Sequence, residues 1–261
     1  MNHLLRSSAP ISDAGWDLLD QEARERLAPA LGSRRLLDFK GPHGWEHSAT
    51  NLGRTAPLGT APAPGVSARQ RRVLPLVELR ADFAISREEL RDADRGADDA
   101  DLAPLDRAAH QIAAAESGAV FGGYAGSITG IAEASPHPDP APGDYPTRVA
   151  AAIELLLGAG IEGPYGLALG DGEYREVTAA TEGGFPLRRH LEEILGGQIV
   201  WVPGLAGAVV LSTRGGDFVF DCGQDLSLGY DSHDADSVNL YLQESFSFHV
   251  ATPEAAVALK P

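Results

Sequence analysis

The hydrophobic positions near the start of the chain repeat with the period of an α-helix. Trp16, Leu19, Ala23 and Leu27 recur every three or four residues, so a helix would carry all of them on one face. Ser12 stands shortly before this segment, and serine is a residue type that caps helix N-termini. The pattern predicts a helix that begins after Ser12 and buries one side.

A period of two replaces the helical period further along. Apolar residues occupy every second position from 77 to 85, and charged residues fill most of the positions between them. Phe246, Phe248 and Val250 alternate with polar residues in the same way near the end of the chain. Alternation of this kind is typical of a β-strand with one buried face. Both segments are therefore predicted to be strands.

Between the first helix and the strand at 77–85 lies a long segment with almost no apolar periodicity. It is rich in Pro, Ala and Gly, and it carries four arginines: Arg54, Arg69, Arg71 and Arg72. Compact domains rarely contain a structureless connection of this length. As a hairpin over residues 46–78 it would reach roughly 50 Å at ~3.3 Å per residue, whereas a chain of this size has a radius of gyration of about 18 Å. We expect an arm that lies on another copy of the chain.

The remaining patterns mix helices and strands without a regular βαβ rhythm. Helical spacing is found after Ser86, after Asp101 and from Thr147 to Leu157, and short apolar runs separated by Gly turns follow. A Gly-rich stretch at 121–130 and the Pro-rich loop after it mark a boundary near residue 130. This order of elements favours an α+β fold over a doubly wound sheet.

Composition narrows the function classes. The chain of 261 residues has a formal net charge of −16, which argues against a protein that coats nucleic acid, because phosphate binding needs Lys and Arg. A single cysteine excludes a disulfide within the chain and fits a reducing cytoplasm best. The start of the chain does not resemble a secretion signal, and no run is apolar for long enough to predict a membrane span.

Candidate chemical motifs are weak. The stretch FGGYAGSITG lacks the Gly-Lys-Ser/Thr ending of a phosphate loop and follows a helix rather than a strand. Asp231, His233, Asp234 and Asp236 could hold a divalent metal loosely, but a solvated turn explains them better. Cys222 lies in an apolar alternating segment and is expected to be buried and inert. The residues predict no catalytic group, no metal site and no cofactor.

Six segments, in order along nearly the whole chain, resemble the encapsulin shell proteins, a family once described as linocin-type bacteriocins. They are LLRSSAPISDAGWDLLDQEAR at the start, RRLLDFKGPHGWE at 34–46, LPLVELRADFAISREELRDADRG at 74–96, GIEGPYGLALG at 160–170, GFPLRRHLEEIL at 184–195 and RGGDFVFDCGQDLSLGYDSHDADSVNLYLQESFSFHV at 214–250. A resemblance of this extent is far more specific than any single motif above.

The resemblance implies the fold of tailed-phage major capsid proteins. On this chain it gives a peripheral domain at 1–44, 76–130 and 223–261, an extended loop at 45–75 that lies over a neighbouring subunit, and an axial domain at 131–222. The four arginines belong to this inter-subunit arm, and Arg69, Arg71 and Arg72 would meet acidic groups of the neighbour. Exposed ion pairs contribute only ~0–1 kcal/mol each, so backbone hydrogen bonds and apolar contacts should supply most of the adhesion.

The resemblance also implies a hollow icosahedral shell that encloses a cargo enzyme, either a dye-decolourising peroxidase or a ferritin-like iron oxidase. In such shells a short C-terminal peptide of the cargo docks on the inner wall. The matching positions here are Arg34, Leu36, Asp38, Phe39, Leu228 and Tyr230. Arg34 and Asp38 would hold polar ends of the peptide beside an apolar groove, although Leu36 and Phe39 could equally be ordinary core residues.

The loop at 178–188 resembles the one that lines the five-fold pore in this family, where small substrates pass. Its tip consists of Thr181, Glu182, Gly183, Gly184 and Phe185. The two glycines would allow a tight turn there. A ring of Glu182 carboxylates would favour cations such as Fe²⁺.

Two other functions stay open at this point. A viral-type major capsid protein that packages a genome would share the fold, although the acidic composition and the lack of a basic tail argue against it. A hydrolase or protease would need a nucleophile motif, and the G-x-S-x-G pattern does not occur. The sequence therefore predicts a non-enzymatic shell subunit whose partners are copies of itself and a cargo enzyme, with neither nucleic acid nor a membrane.

Overall fold

The computed structural model describes residues 3–140 and 142–261, and it mixes helices and strands as an α+β fold does. The helices are Asp13–Ala30 (α1), Arg87–Asp94 (α2), Ala103–Gly122 (α3), Ile131–Ala134 (α4), Tyr145–Gly158 (α5), Asp171–Ala179 (α6) and Leu187–Leu195 (α7). The strands are Asp38–Lys40 (β1), Ala49–Pro57 (β2), Arg69–Pro75 (β3), Val77–Ser86 (β4), Tyr165–Leu169 (β5), Thr181–Glu182 (β6), Phe185–Pro186 (β7), Ile199–Trp201 (β8), Ala208–Ser212 (β9), Phe218–Cys222 (β10), Ser227–His233 (β11), Ser237–Val250 (β12) and Ala256–Leu259 (β13).

Helix α1 begins at the predicted capping residue. The hydroxyl of Ser12 accepts a hydrogen bond from the N–H of Gly15 at 2.9 Å, which caps α1. Asp101 accepts a hydrogen bond from the N–H of Ala103, the first residue of α3. In the part of the chain that the structure covers, no helix combines the length and the apolar character needed to cross a membrane.

The larger sheet is built around the long strand β12. This strand pairs with β4 at positions 237–246, with β11 at 238–243 and with β10 at 246–250, all in antiparallel orientation. Because positions 238–243 pair with both β4 and β11, those two strands flank β12 on opposite sides. Strand β1 then runs parallel to β10 at its outer edge, with Phe39 opposite Phe220.

A second sheet has the strand order β13-β9-β5-β8, and its strand β5 is buried throughout. The two sheets cross the predicted division between the axial and peripheral domains in two places. Strand β10, within the predicted axial domain, belongs to the larger sheet. Strand β13, within the predicted peripheral return, pairs with β9 of the second sheet.

Two apolar clusters form the interior. The larger cluster surrounds the second sheet and includes Leu36, Phe220 and Phe246. The smaller cluster lies between α1, α3 and the larger sheet, and it includes Leu228 and Tyr230. The alternating pattern of β4 sends its apolar side chains towards these clusters, as predicted. Leu36, Leu228 and Tyr230, which the family resemblance places in one cargo groove, are therefore divided between the two cores.

The β2–β3 hairpin (residues 49–75) contains no buried residue. Its strands pair antiparallel from Ala49 opposite Pro75 to Pro57 opposite Arg69. Nine residues of β2 span about 30 Å at the usual rise of a strand. Most of its positions are exposed, including the large apolar side chains of Leu58, Val66 and Val73. The predicted arm is thus a two-stranded hairpin, an element that is marginal when isolated in water.

Candidate functional site

The predicted cargo residues Arg34 and Phe39 lie together at the outer edge of the larger sheet. The ring of Phe39 stacks on Phe220 with centroids 5.5 Å apart, and Phe220 stacks on Phe246 at 4.6 Å. The Arg34 guanidinium carbon lies 5.3 Å from the centroid of Phe39 and 5.2 Å from that of Phe220. Phe39 retains 36% exposure, so this stack ends in an aromatic face open to solvent.

Arg34 is held by three carboxylates. Its Nε and Nη2 donate to Glu116 Oε2 at 2.8 and 2.5 Å, Nη2 also donates to Glu244 at 2.7 Å, and Nη1 donates to Asp225 at 2.7 Å. Glu116 lies on α3 and Glu244 on β12, and both are fully buried. Burial disfavours the charged guanidinium, but the two glutamates outweigh burial and raise the pKa of Arg34.

Glu244 is the unusual member of this network. Burial raises its pKa well above that of an ordinary glutamate, repulsion from Glu116 adds to the rise, and attraction to Arg34 opposes it. Its Oε1 atom is buried without a hydrogen-bond partner among the residues described. The network therefore holds one cation against two buried carboxylates, and the raised pKa of Glu244 favours a proton on that side chain.

The other four cargo residues lie in different surroundings. Leu36 is buried in the larger core, where it occupies the space that a side chain at Gly166 would need. Asp38 accepts a hydrogen bond from the N–H of Gly216 at 2.7 Å and so faces a turn. Leu228 and Tyr230 are buried on β11. The six residues thus lie in different surroundings and do not converge on one point.

A cleft of about 240 Å³ lies between α1 and the start of β11. The N-terminal segment borders this α1–β11 cleft, since the carbonyl of Leu4 accepts a hydrogen bond from the N–H of Tyr230 at 2.9 Å. Apolar walls come from Leu27, Leu228 and Leu242, and the rim carries the ion pair of Arg6 with Asp20. Among the predicted cargo residues, Leu228 is the one that lines it.

The hairpin arginines differ from Arg34 in having few partners in their own chain. Arg69 donates to the hydroxyl of Thr55 at 2.8 Å across the hairpin. Arg54, Arg71 and Arg72 are exposed, and they form no ion pair within residues 3–140 and 142–261. These three side chains leave positive charge free on a strongly acidic protein.

The predicted pore loop is a minimal hairpin. Strands β6 and β7 are two residues each, and Gly183 and Gly184 connect them with φ of 54° and 88°. Positive φ at both central positions is the geometry that a tight two-residue turn requires, and it explains the Gly-Gly pair. Phe185 projects with 74% exposure. The side chain of Glu182 lies outside what the structure describes.

The predicted metal candidate at 231–236 spans the end of β11 and the turn before β12, and Asp231, His233 and Asp234 already have hydrogen-bond partners. Asp234 accepts hydrogen bonds from the N–H groups of Asp236 and Ser237 at 2.8 and 2.7 Å, and the Asp236 bond is the main cause of its lowered pKa. His233 Nδ1 lies 2.6 Å from the hydroxyl of Tyr230. The interpretation as a turn before a strand fits residues 234–236, whereas residues 231–233 are the end of β11.

A different set of ligating side chains comes together at His43, His47 and Asp221. The H-x-x-x-H spacing of the two histidines is visible in the sequence, but it points to a site only beside Asp221, which lies 178 residues after His43. The neighbouring Cys222 is buried, and burial raises the pKa of its thiol to about 12, so it is inert at neutral pH.

Comparison with known proteins identifies the family. The model of a family described as encapsulating protein for peroxidase matches residues 1–247. A type 1 encapsulin shell protein of Rhodospirillum rubrum is 45% identical and aligns with all of this chain and 97% of its own. One from Rhodococcus erythropolis is 43% identical over 99% of this chain and all of its own.

Solved structures agree on the fold. A virus-like particle from Pyrococcus furiosus matches with a TM-score of 0.64 at 18% identity, over 92% of this chain and 98% of that one. Mycobacterium phage Bobi gives a TM-score of 0.55 at 14% identity, over 87% and 89%. The chain belongs to the encapsulin shell proteins, a family of structural shell subunits, and it has the fold of the tailed-phage major capsid proteins.

Proposed function

We propose that this chain builds a shell around a cargo enzyme of the dye-decolourising peroxidase or ferritin-like class. The cargo is captured through a short C-terminal peptide, and small substrates reach it through pores. The family model supports the peroxidase class in its description. The observation that carries assembly is the exposed β2–β3 hairpin, which offers apolar side chains and free arginines that its own chain leaves uncovered.

The proposed subunit keeps the three parts inferred from the family. The peripheral part is 1–44, 76–130 and 223–261, the extended loop is 45–75, and the axial part is 131–222. Strands β10 and β13 cross these limits and join the peripheral and axial parts through shared sheets. The hairpin arginines Arg54, Arg69, Arg71 and Arg72 then lie against acidic groups of the neighbouring subunit, in keeping with the net charge of −16.

The proposed docking wall runs from Phe39 to the α1–β11 cleft. The exposed ring of Phe39 and the apolar walls at Leu228 suit apolar side chains of a peptide. Arg34 connects the two ends, because it lies over Phe39 and pairs with Asp225 just before β11. In this proposal Arg34 holds the two ends of the wall together. Leu36 packs behind it in the larger core, Asp38 binds the turn at Gly216, and Tyr230 is buried on β11.

Cargo loading tests this wall directly. A peroxidase of the dye-decolourising class, with and without its C-terminal peptide, is co-expressed with the shell chain, and the cargo-to-shell ratio is measured in purified particles. We expect Phe39→Ser to lower loading severalfold while particles still form. Phe185→Ser is the matched control, since it removes an exposed Phe elsewhere. Equal loading in both variants, or loading that does not need the peptide, contradicts the proposal.

The proposed pore lies at the β6–β7 hairpin with Thr181, Glu182, Gly183, Gly184 and Phe185 at its tip. A ring of Glu182 carboxylates would concentrate cations at the opening. Glu182→Gln removes the charge and keeps the shape, so iron uptake by loaded particles should slow. Unchanged uptake rates would show that this charge does not control passage.

Genome packaging is the competing use of the same fold. Purified particles are expected to have the ultraviolet absorbance ratio of protein alone, because an acidic chain lacks the cations that nucleic acid requires. Nuclease-resistant nucleic acid of uniform length inside the particles would favour the viral-type function instead.

A further inference from the structure

We propose that His43, His47 and Asp221 form a binding site for one divalent transition-metal ion of the Zn²⁺ class. The three side chains come from two segments that the fold brings together: the loop between β1 and β2, and strand β10. Their ligand atoms all lie within 4.8 Å of one another. Two imidazoles and one carboxylate are ligands that zinc accepts, with the fourth position left to water.

The distances fit a site that closes around an ion with small side-chain movements. His43 Nε2 lies 2.8 Å from Asp221 Oδ1, and His47 Nε2 lies 3.9 Å from Oδ2 of the same carboxylate. The two imidazole rings are 4.7 Å apart at their centroids. Ligands of a tetrahedral zinc ion, each about 2.0–2.2 Å from the metal, are roughly 3.4 Å from each other. A shift of about 1 Å in the rings reaches that geometry.

His47 gives the clearest sign of a missing partner. Its Nε2 atom is buried and has no hydrogen bond among the described residues, although it points towards the Asp221 carboxylate. Buried polar nitrogen atoms in native proteins nearly always have a partner. A metal ion between His47, His43 and Asp221 would supply one.

The backbone holds the two histidines in place before any ion binds. The N–H of His43 donates to the carbonyl of Cys222 at 3.0 Å, and the N–H of Gly44 donates to Gly223 at 2.7 Å. The N–H of His47 donates to the carbonyl of Gly44 at 3.2 Å, which makes the loop a tight turn. The loop is thus fixed to the end of the strand that carries Asp221.

A second layer of contacts orients the carboxylate. Thr50 Oγ1 donates to Asp221 Oδ2 at 2.5 Å and lies 2.6 Å from Ser247 Oγ. Partners of this kind fix metal ligands in many sites and affect affinity strongly. Thr50 is also the second residue of β2, so the site lies at the base of the β2–β3 hairpin. An ion bound here would fasten the start of the hairpin to β10.

The test uses full-length particles stripped of metal with EDTA and titrated with ZnCl₂ in a calorimeter. We expect saturable binding of about one Zn²⁺ per chain and a higher thermal midpoint in its presence. The double variant H43Q/H47Q should lose both effects. Asp221→Asn, which keeps the shape of the carboxylate, should weaken binding by at least about tenfold.

His233→Gln is the matched control, because it removes a histidine from the acidic stretch at 231–236 and should leave one-site binding intact. Binding that survives H43Q/H47Q, or that is lost in His233→Gln alone, overturns the assignment, as does a wild-type chain that binds no Zn²⁺. If H43Q/H47Q does not fold, X-ray absorption of the wild-type zinc complex decides instead. Imidazole scattering from two histidines supports the site, and its absence overturns it.

Discussion

The arginines in two regions of this subunit have opposite surroundings. Arg34 lies inside the chain, where each nitrogen of its guanidinium donates to a carboxylate. Arg54, Arg71 and Arg72 on the β2–β3 hairpin point into solvent, without an ion pair in the described ranges. Arg34 has its charged partners within its own chain, whereas the charges and apolar side chains of the hairpin are exposed. This contrast is what a subunit built for assembly requires.

The largest expected effect comes from removal of the buried cation. Arg34→Met leaves Glu116 and Glu244 buried without their counter-charge, which should lower the free energy of unfolding by about 3–5 kcal/mol. Urea unfolding of the variant measures this loss. Arg71→Met on the hairpin is the control and should change stability by less than about 0.5 kcal/mol. Similar small losses in both variants would remove the distinction between the two regions.

A smaller effect is expected from Glu244, and it depends on pH. The raised pKa means that the folded chain holds this proton more tightly than the unfolded chain, whose value is near 4.5. The contribution of Glu244 to folding stability is therefore largest below the pKa of the unfolded chain. It is lost as the pH rises through the pKa of the folded chain. Glu244→Gln should flatten this fall and stabilise the chain by roughly 1 kcal/mol at pH 8.

Unfolding curves at several pH values between 4 and 8 measure that difference. At pH 4 the wild-type chain and Glu244→Gln should be nearly equal in stability, because the glutamate is then protonated in both the folded and the unfolded state. A wild-type stability that rises through this window relative to the variant would show that Arg34 keeps Glu244 ionised.

The difference between the two regions could be predicted only in part from the sequence. Local patterns placed the Ser12 cap and the alternating strand β4 correctly, since each depends on neighbours within a few residues. The length of the arm indicated the hairpin, whose strands pair residues as far apart as Ala49 and Pro75. The Arg34 network was not predictable, because Glu116 and Glu244 lie 82 and 210 residues away. Only the paired sheets bring such groups together.

The same limit applies to the candidate sites. The acidic stretch at 231–236 is a metal candidate in the sequence because its residues are adjacent. In the structure Asp234 accepts hydrogen bonds from local backbone N–H groups, and Asp231 pairs with Arg80. Two histidines four positions apart become a metal candidate only when β10 brings Asp221 beside them. Likewise, Leu36 and Phe39 are three positions apart but lie in a core and at an exposed edge.

The smallest effect on folding is expected from charge reversal on the hairpin. The triple variant R69E/R71E/R72E should alter the free energy of unfolding of the subunit by no more than about 0.5 kcal/mol. The yield of closed particles should fall, because the reversed charges would face an acidic neighbour. The matched variant R69K/R71K/R72K keeps the charge and should assemble. Equal particle yields, measured by light scattering, would show that these charges do not contribute to assembly.

We propose above all that a neighbouring copy of the chain covers the β2–β3 hairpin. Replacement of residues 54–72 by an Asn-Gly turn shortens the hairpin and leaves both sheets and both cores in place. Sedimentation velocity of this variant beside the wild-type chain is the most direct test. We expect large closed particles for the wild type and folded single subunits for the variant. Closed particles formed equally well by the shortened chain would contradict this proposal.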